Sequence, residues 1–271
     1  MLSEEEKFRF DLQGYLVIPG VLTSQECSTL SRLSDAHWPR QPNDGLFRRT
    51  EAISQWGEPF LELMDHPSVL PYLQELIGPR LRADHDYSIF MQPGAQGQDI
   101  HGGPMRYESD HWYHYHDGVI RNGLTVATWV LADAGPGDGG FVCVPGSHKT
   151  NFIQSVPVEV LRQERRPDYV TQPELKAGDV LIFTEALIHG TAPWVGKEER
   201  RVLLFKYSPP HSSWAKTPYD PENYPNATAQ QRRLMASPSV ENHPKVAADP
   251  MDLRTSRPMQ KHNWFMMRPS D

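Results

Sequence analysis

The sequence predicts a mainly β protein, a sandwich or jelly roll with helices flanking its N-terminal side. Helix-period segments with capping signals are confined to residues 1–80. Beyond them, short β-prone runs alternate with Gly, Pro, Asn and Asp punctuation, the pattern of double-layered antiparallel sheets. No internal repeat or low-complexity tract interrupts the 271 residues, so residues 1–271 are expected to form one large domain around a sizeable core.

Within residues 1–80, a short helix is expected from Ser3, then a strand over Gly14-Tyr15-Leu16-Val17-Ile18-Pro19. A second helix follows with Thr23 or Ser24 as N-cap, and Glu26 stands where a capping box prefers it. A further helix is expected from Pro59 to Leu76, closed by Gly78-Pro79. Residues 81–208 supply the expected jelly-roll core, with strands at Leu81–Met91, Leu124–Leu131, Gly140–Val144, Asp179–Phe183 and Arg201–Tyr207. Residues 209–271, rich in Pro and polar residues with Trp264 and Phe265 near the end, are expected to wrap that core as loops and short helices.

The formal net charge of −7 argues against a polyanionic partner, because phosphate binding needs clustered Lys and Arg that acids do not offset. Nucleic acid is therefore not an expected partner. The two cysteines, Cys27 and Cys143, lack metal-site or disulfide-framework spacing, which suits a reducing cytoplasm. The acidic N-terminus has no signal-peptide apolar run, and no stretch reaches the roughly eighteen apolar residues of a membrane span, so a soluble protein is expected. No coiled-coil heptads announce an oligomer.

Three blocks carry the chemistry: Gln98-Asp99-Ile100-His101-Gly102-Gly103-Pro104, then Val144-Pro145-Gly146-Ser147-His148-Lys149, then Ala177-Gly178-Asp179 leading to Ile188-His189-Gly190-Thr191. In this order, and after Gly14 to Leu22, they resemble the phytanoyl-CoA dioxygenase family over Phe8 to Tyr207. The resemblance implies a double-stranded β-helix, a cupin-like jelly roll, that uses Fe(II), 2-oxoglutarate and O2 on a small molecule. It also implies that His101 and His189 bind the metal and that Arg200 holds the cosubstrate.

The residue types suit those roles. Non-haem iron oxygenases need nitrogen and oxygen ligands on one side of the ion, leaving adjacent positions open for 2-oxoglutarate and oxygen. His189 follows the apolar run Val180-Leu181-Ile182-Phe183 and precedes Gly190, which permits close backbone approach. A guanidinium suits a distal carboxylate through two parallel charge-assisted hydrogen bonds. Arg201 is the neighbouring alternative, since a one-residue shift flips the face of a strand. Thr191 and Trp129 are candidate neighbours of 2-oxoglutarate, or plain core residues. Pro145-Gly146 reads as a turn, and His148 is given no ligand role.

One departure matters. The family's first metal motif is usually His-x-Asp, and here the third position is Gly103, which offers a metal nothing. The corresponding site is then empty, filled by water or a halide, or filled from elsewhere in the chain. Gly103 resembles the arrangement of the halogenases among these enzymes, where chloride binds iron and replaces the hydroxyl in the product. A substitute carboxylate is available in Glu108, Asp110 or Asp117, and His111, His114 and His116 lie in the same stretch. Asp84-His85-Asp86 reads as strand with its charges turned to solvent, and Glu185 as a group orienting a ligand or an ordinary loop acid. Hydroxylation is the expected reaction, with halogenation, a non-catalytic cupin-like binding protein and a two-histidine metal hydrolase or isomerase as alternatives.

Overall fold

The structure, a computed structural model, describes residues 2–104 and 110–240. Ser3 and Glu6 close a capping box on α1 (Glu4–Gln13), and Gly14, at φ 82°, ends it in the left-handed region and turns the chain straight into β1 (Tyr15–Ile18). Thr23 and Glu26 cap α2 (Ser24–His37) in the same way. After β2 (Phe47–Glu51), the helix expected over Pro59 to Leu76 forms instead as α3 (Glu58–Leu61), a 3-10 turn (Glu62–Asp65) and α4 (Leu70–Ile77). Pro67 is the reason: the residue before a proline is pushed out of the helical region, and His66 sits at φ −51°, ψ 128°.

The strands follow as β3 (Arg82–Met91), β4 (Gln98–His101), β5 (Tyr113–His116), β6 (Val119–Asn122), β7 (Thr125–Val130) and β8 (Gly140–Cys143). After α5 (Val158–Leu161) come β9 (Val180–Thr184), β10 (His189–Ala192) and β11 (Arg200–Ser208), and later α6 (Ala229–Leu234). A six-stranded sheet in the order β1-β9-β7-β11-β3-β2 faces a three-stranded sheet β4-β10-β8, while β5 and β6 form a separate hairpin. Among the described residues every strand pairing is antiparallel. The fold is the sheet-rich double-stranded β-helix with N-terminal helices.

Side-chain alternation divides the molecule into layers. Ala127, Trp129, Val180, Ile182, Leu203 and Phe205 leave the large sheet on the side where α1, α2 and α4 bury Phe10, Leu30 and Leu73. Val126, Val130, Leu181, Phe183, Val202 and Leu204 point the other way, into the barrel interior, where they meet Phe141 and Cys143 of β8. Ile100, Val142, Ile188 and Ala192 cover the outer face of the small sheet. No helix of the described residues is long and apolar enough to cross a membrane.

Asp84 and Asp86 lie on β3 but are buried, contrary to the expectation of solvent-facing charges. Asp84 accepts from Arg82 Nη1 at 2.9 Å and from the backbone N–H groups of Trp214 and Ala215 at 2.9 and 2.8 Å. Asp86 accepts from Ser54 and Tyr219. These donors come from segments remote in sequence and fasten residues 212–219 to the sheet. Residues 241–271, with Trp264 and Phe265, lie outside the described residues.

Candidate active site

His101 ends β4, His189 begins β10, and the antiparallel register sets them directly opposite each other. Opposed residues on adjacent strands project to the same side, and the two imidazole centroids are 4.6 Å apart. Each ring is oriented by its own backbone. His101 Nδ1 lies 2.8 Å from the Asp99 carbonyl oxygen, and His189 Nδ1 lies 2.8 Å from that of Leu187. A carbonyl can only accept, so each Nδ1 carries a proton and Nε2 is the nitrogen each ring turns to a metal. Burial, offset in part by Glu185, pushes His189 down to about 4, so its ring is neutral at physiological pH. The turn at Pro145-Gly146 braces this strand: Ser147 Oγ accepts the Ile188 N–H at 2.8 Å. His148 itself is buried edge-on against Tyr113, and burial pushes it down to about 4.

Arg200 and Arg201 open β11 on opposite faces. Arg201 turns toward the helices, where Asp35 and Glu199 meet it at 2.9 and 2.6 Å and its guanidinium lies over Phe90. Arg200 turns inward with Val202 and Leu204 and is 4% exposed. Its recorded neighbour is Met91 Sδ, 3.6 Å from Nη1, and no carboxylate of the described residues stands within 4.0 Å of it. Burial pushes this guanidinium down to about 10. Gly140 makes the room, because a Cβ there would lie 2.6 Å from Arg200 Nε. Gly140 pairs with Ala192, three residues along β10 from His189, about 10 Å of strand.

Around the imidazole pair stands a second polar group that sequence reasoning left undecided. Glu185, 3% exposed, holds Oε1 at 2.7 Å from Lys206 Nζ. Its other oxygen, Oε2, is 3.8 Å from His189 Nε2 and 3.9 Å from His111 Nε2. Burial opposes ionisation of Glu185, but Lys206, His189 and His111 outweigh it and hold the carboxyl down at about 2. His111 is buried with both ring nitrogens lacking a hydrogen-bond partner, and it stacks on Trp214 at 4.8 Å. Trp214 also lines a cleft of about 540 Å³ with Glu51, His85, Tyr219 and Asp220.

A profile of the phytanoyl-CoA dioxygenase family matches residues 10–202. The chain belongs to the phytanoyl-CoA dioxygenase family. It is an Fe(II)- and 2-oxoglutarate-dependent dioxygenase of that family, acting on small molecules. Among curated relatives it is similar to dioxygenase af480 of Aspergillus fumigatus, 25% identical over 77% of this chain and 67% of that one. It is also similar to the ectoine dioxygenase of Stutzerimonas stutzeri, 23% identical over 74% of each chain. Among solved structures, HygX from Streptomyces hygroscopicus with nickel and 2-oxoglutarate bound superposes with a TM-score of 0.69 at 25% identity, covering 79% of this chain and 89% of that one. HygX has also been seen with hygromycin B bound.

Seen as a member of this family, the chain brings some of the sequence candidates together and not others. Thr191 shares the inward parity of His189 on β10, between the imidazole pair and Arg200. Trp129 does not join them. It sits on the helix-packed face of β7, its ring 5.2 Å from His66, because residues 126, 128 and 130 take the inward positions. The inward polar residue of that strand is Thr128, whose hydroxyl is buried and has no partner. At Gly103, a Cβ would meet Ile153 Cδ1, the movable end of that side chain, at 1.7 Å and Ile188 at 3.3 Å.

Asp110 is held by Ser208, and Asp117 is exposed at the β5–β6 hairpin beside His116, so neither supplies a carboxylate to the pair. His114 and His116 are exposed on that hairpin. Tyr107 and Glu108 lie outside the described residues. Among the described residues, no three His, Cys, Asp or Glu side chains already converge to hold a metal ion. The donors that do face one another, two imidazoles and beyond them a buried guanidinium without a counterion, fit Fe(II) and a dicarboxylate.

Proposed function

We propose that this enzyme hydroxylates an unactivated C–H bond of a polar small molecule, with His101 and His189 binding Fe(II) and Arg200 binding the distal carboxylate of 2-oxoglutarate. The observation that carries the reading is the buried Arg200 guanidinium, which has no carboxylate partner and stands about 10 Å of strand from the imidazole pair. A buried charge without a counterion is costly, and an arriving carboxylate removes that cost with two charge-assisted hydrogen bonds. Thr191, and Thr128 on the facing sheet, offer hydroxyls along the path between. Bound Fe(II) with 2-oxoglutarate and O2 supplies the oxidant, the products being the hydroxylated substrate, succinate and carbon dioxide.

The chain's own residues position and exclude. Phe141 and Phe183 flank His189 at ring-centroid distances of 6.1 and 4.7 Å and keep water from the inner side of the pair. The substrate approaches from the Trp214 cleft, where Glu51, Asp220 and Tyr219 suit a molecule rich in hydrogen-bond donors. Hydroxylation is favoured over chlorination because the direction of the missing Gly103 side chain is toward Ile153 and not toward the imidazoles.

Anaerobic titration of the iron-loaded protein with 2-oxoglutarate, and then with chloride, tests both parts. The expected result is a weak visible charge-transfer band that chloride does not perturb. No band in folded, metal-retaining protein would overturn the cofactor reading, and a chloride-sensitive band with a chlorinated product would overturn hydroxylation.

A further inference from the structure

We infer that Glu185 is the carboxylate ligand of the metal, standing in for the acid that Gly103 lacks. This rests on the Fe(II) and 2-oxoglutarate reading above. Its basis is the position of Glu185 Oε2. Two donors on one octahedral ion at about 2.1 Å are about 3 Å apart when adjacent and about 4 Å apart when opposite. Oε2 lies 3.8 Å from His189 Nε2, inside that range, and no other carboxylate of the described residues is within 4.0 Å of that nitrogen. Oε2 is the oxygen left for an ion, since it is Oε1 that Lys206 holds at 2.7 Å.

The two glycines of the first motif explain how Glu185 comes so close. A Cβ at Gly102 would lie 2.7 Å from the Leu187 carbonyl oxygen, 2.9 Å from that of Glu185 and 3.2 Å from His189 Nδ1. The Gly103 N–H donates to the Glu185 carbonyl at 3.3 Å. The glycine pair is therefore packed against the turn that presents Glu185: a side chain at 102 is excluded by that turn, and the backbone of 103 is hydrogen-bonded to it. Backbone at both positions is left-handed, φ 84° and 103°, which further disfavours a side chain there.

Lys206 has a defined part in this arrangement. Its Nζ stands 2.7 Å from Glu185 Oε1 and is the counter-charge of that carboxylate while the ion is absent. Lys206 shares the inward parity of Arg200, Val202 and Leu204 on β11, which sets the two cations at opposite ends of one row. The Arg200 end takes the cosubstrate, and the Lys206 end holds the third ligand.

The test measures Co(II) affinity and the visible d–d spectrum of the full chain in the presence of 2-oxoglutarate. The double variant Glu185→Gln with Lys206→Met removes both charges together and avoids stranding a buried Lys. Its Co(II) affinity is expected to fall by about 100-fold or more, beyond the loss typical of groups that only orient a ligand, with a changed spectrum and with circular dichroism intact. Lys206→Met alone is expected to retain Co(II) binding and to gain more thermal stability from Co(II) than wild type does, because the ion then supplies the missing counter-charge. Wild-type affinity and spectrum in the folded double variant would overturn the assignment. So would loss of Co(II) in Glu108→Gln without loss in the double variant. Failure of wild type to bind Co(II) or 2-oxoglutarate at all would overturn the underlying reading instead.

Discussion

Arg200 and Arg201 are neighbours in sequence, yet the chain treats them oppositely. Arg201, on the helix side, meets Asp35, Glu199, the Ser31 carbonyl and the Phe90 ring. Arg200, on the barrel side, meets a thioether and no carboxylate. The same contrast extends across the two faces of the large sheet. Outside the barrel the buried charges are answered within the chain, as Asp84 is by Arg82, Trp214 and Ala215. Inside it, polar groups are left with unused valence: Arg200, the Thr128 hydroxyl, the Nε2 atoms of His101 and His189, and one oxygen of Glu185. Groups with free valence gathered on one face are what a ligand site requires, and the roles proposed for Arg200, His101, His189 and Glu185 draw on them.

The sharpest way to break that contrast is His189→Ala. If the inner face exists for ligands, metal affinity and turnover should both collapse, turnover by more than about a thousandfold, while the melting temperature of metal-free protein changes little or rises, since a buried ring is removed from a polar site. A variant that keeps tight Fe(II) binding by equilibrium dialysis would show that the pair is structural.

On the outer face the sign reverses, and stability is what should move. Asp84→Asn leaves Arg82 buried without its counterion and is expected to cost about 3 kcal/mol in urea unfolding. Burial raises the Asp84 carboxyl, but its hydrogen bonds and the charge of His85 prevail and depress it below its ordinary value. A depressed carboxylate contributes stability that is complete above its unfolded pKa, about 4, and is lost as pH falls toward the folded value. Wild type should therefore lose stability steeply below about pH 4 and Asp84→Asn less so. Parallel pH profiles of the two proteins would contradict this role.

The two arginines themselves give the next test. Arg200→Gln should weaken 2-oxoglutarate binding by about 100-fold, equivalent to one lost bidentate ion pair, with unchanged metal affinity. Arg201→Gln should leave cosubstrate binding alone and cost about 1 kcal/mol of stability. Equal effects of the two substitutions on 2-oxoglutarate titrations would erase the distinction.

What could be read from the sequence follows the same divide. Local signals were legible: the helix start at Ser3, the capping box at Thr23, and the apolar runs that became β3, β7 and β9. Strands too short or too polar to show a period, β2, β4, β10 and the β5–β6 hairpin, were not, because pairing with a neighbour makes them strands. The broken helix at Pro67 had its signal in the proline. Asp84 and Asp86 looked exposed because their donors arrive from residues 54 and 212–219, a closure no local pattern announces. Glu185 had one usable sign, its place four residues before His189, but the approach of Gly102 and Gly103 that gives it meaning exists only after β4 and β10 pair.

Trp129 is the smallest test and the cleanest one of facing. Strand alternation alone decides whether this ring belongs to the cosubstrate or to the helices, and a shift of one residue reverses the answer. With the ring against His66, Trp129→Phe loses packing volume and an indole N–H that has no partner. The two losses act in opposite directions on stability, so the net cost should be about 1 kcal/mol, well under the roughly 3–5 kcal/mol of truncation to alanine. The 2-oxoglutarate affinity should match wild type, whereas Thr128→Val, one residue away and inward, should weaken it by about tenfold for one lost hydrogen bond. A cosubstrate defect in Trp129→Phe without one in Thr128→Val would mean that β7 presents its other face to the barrel.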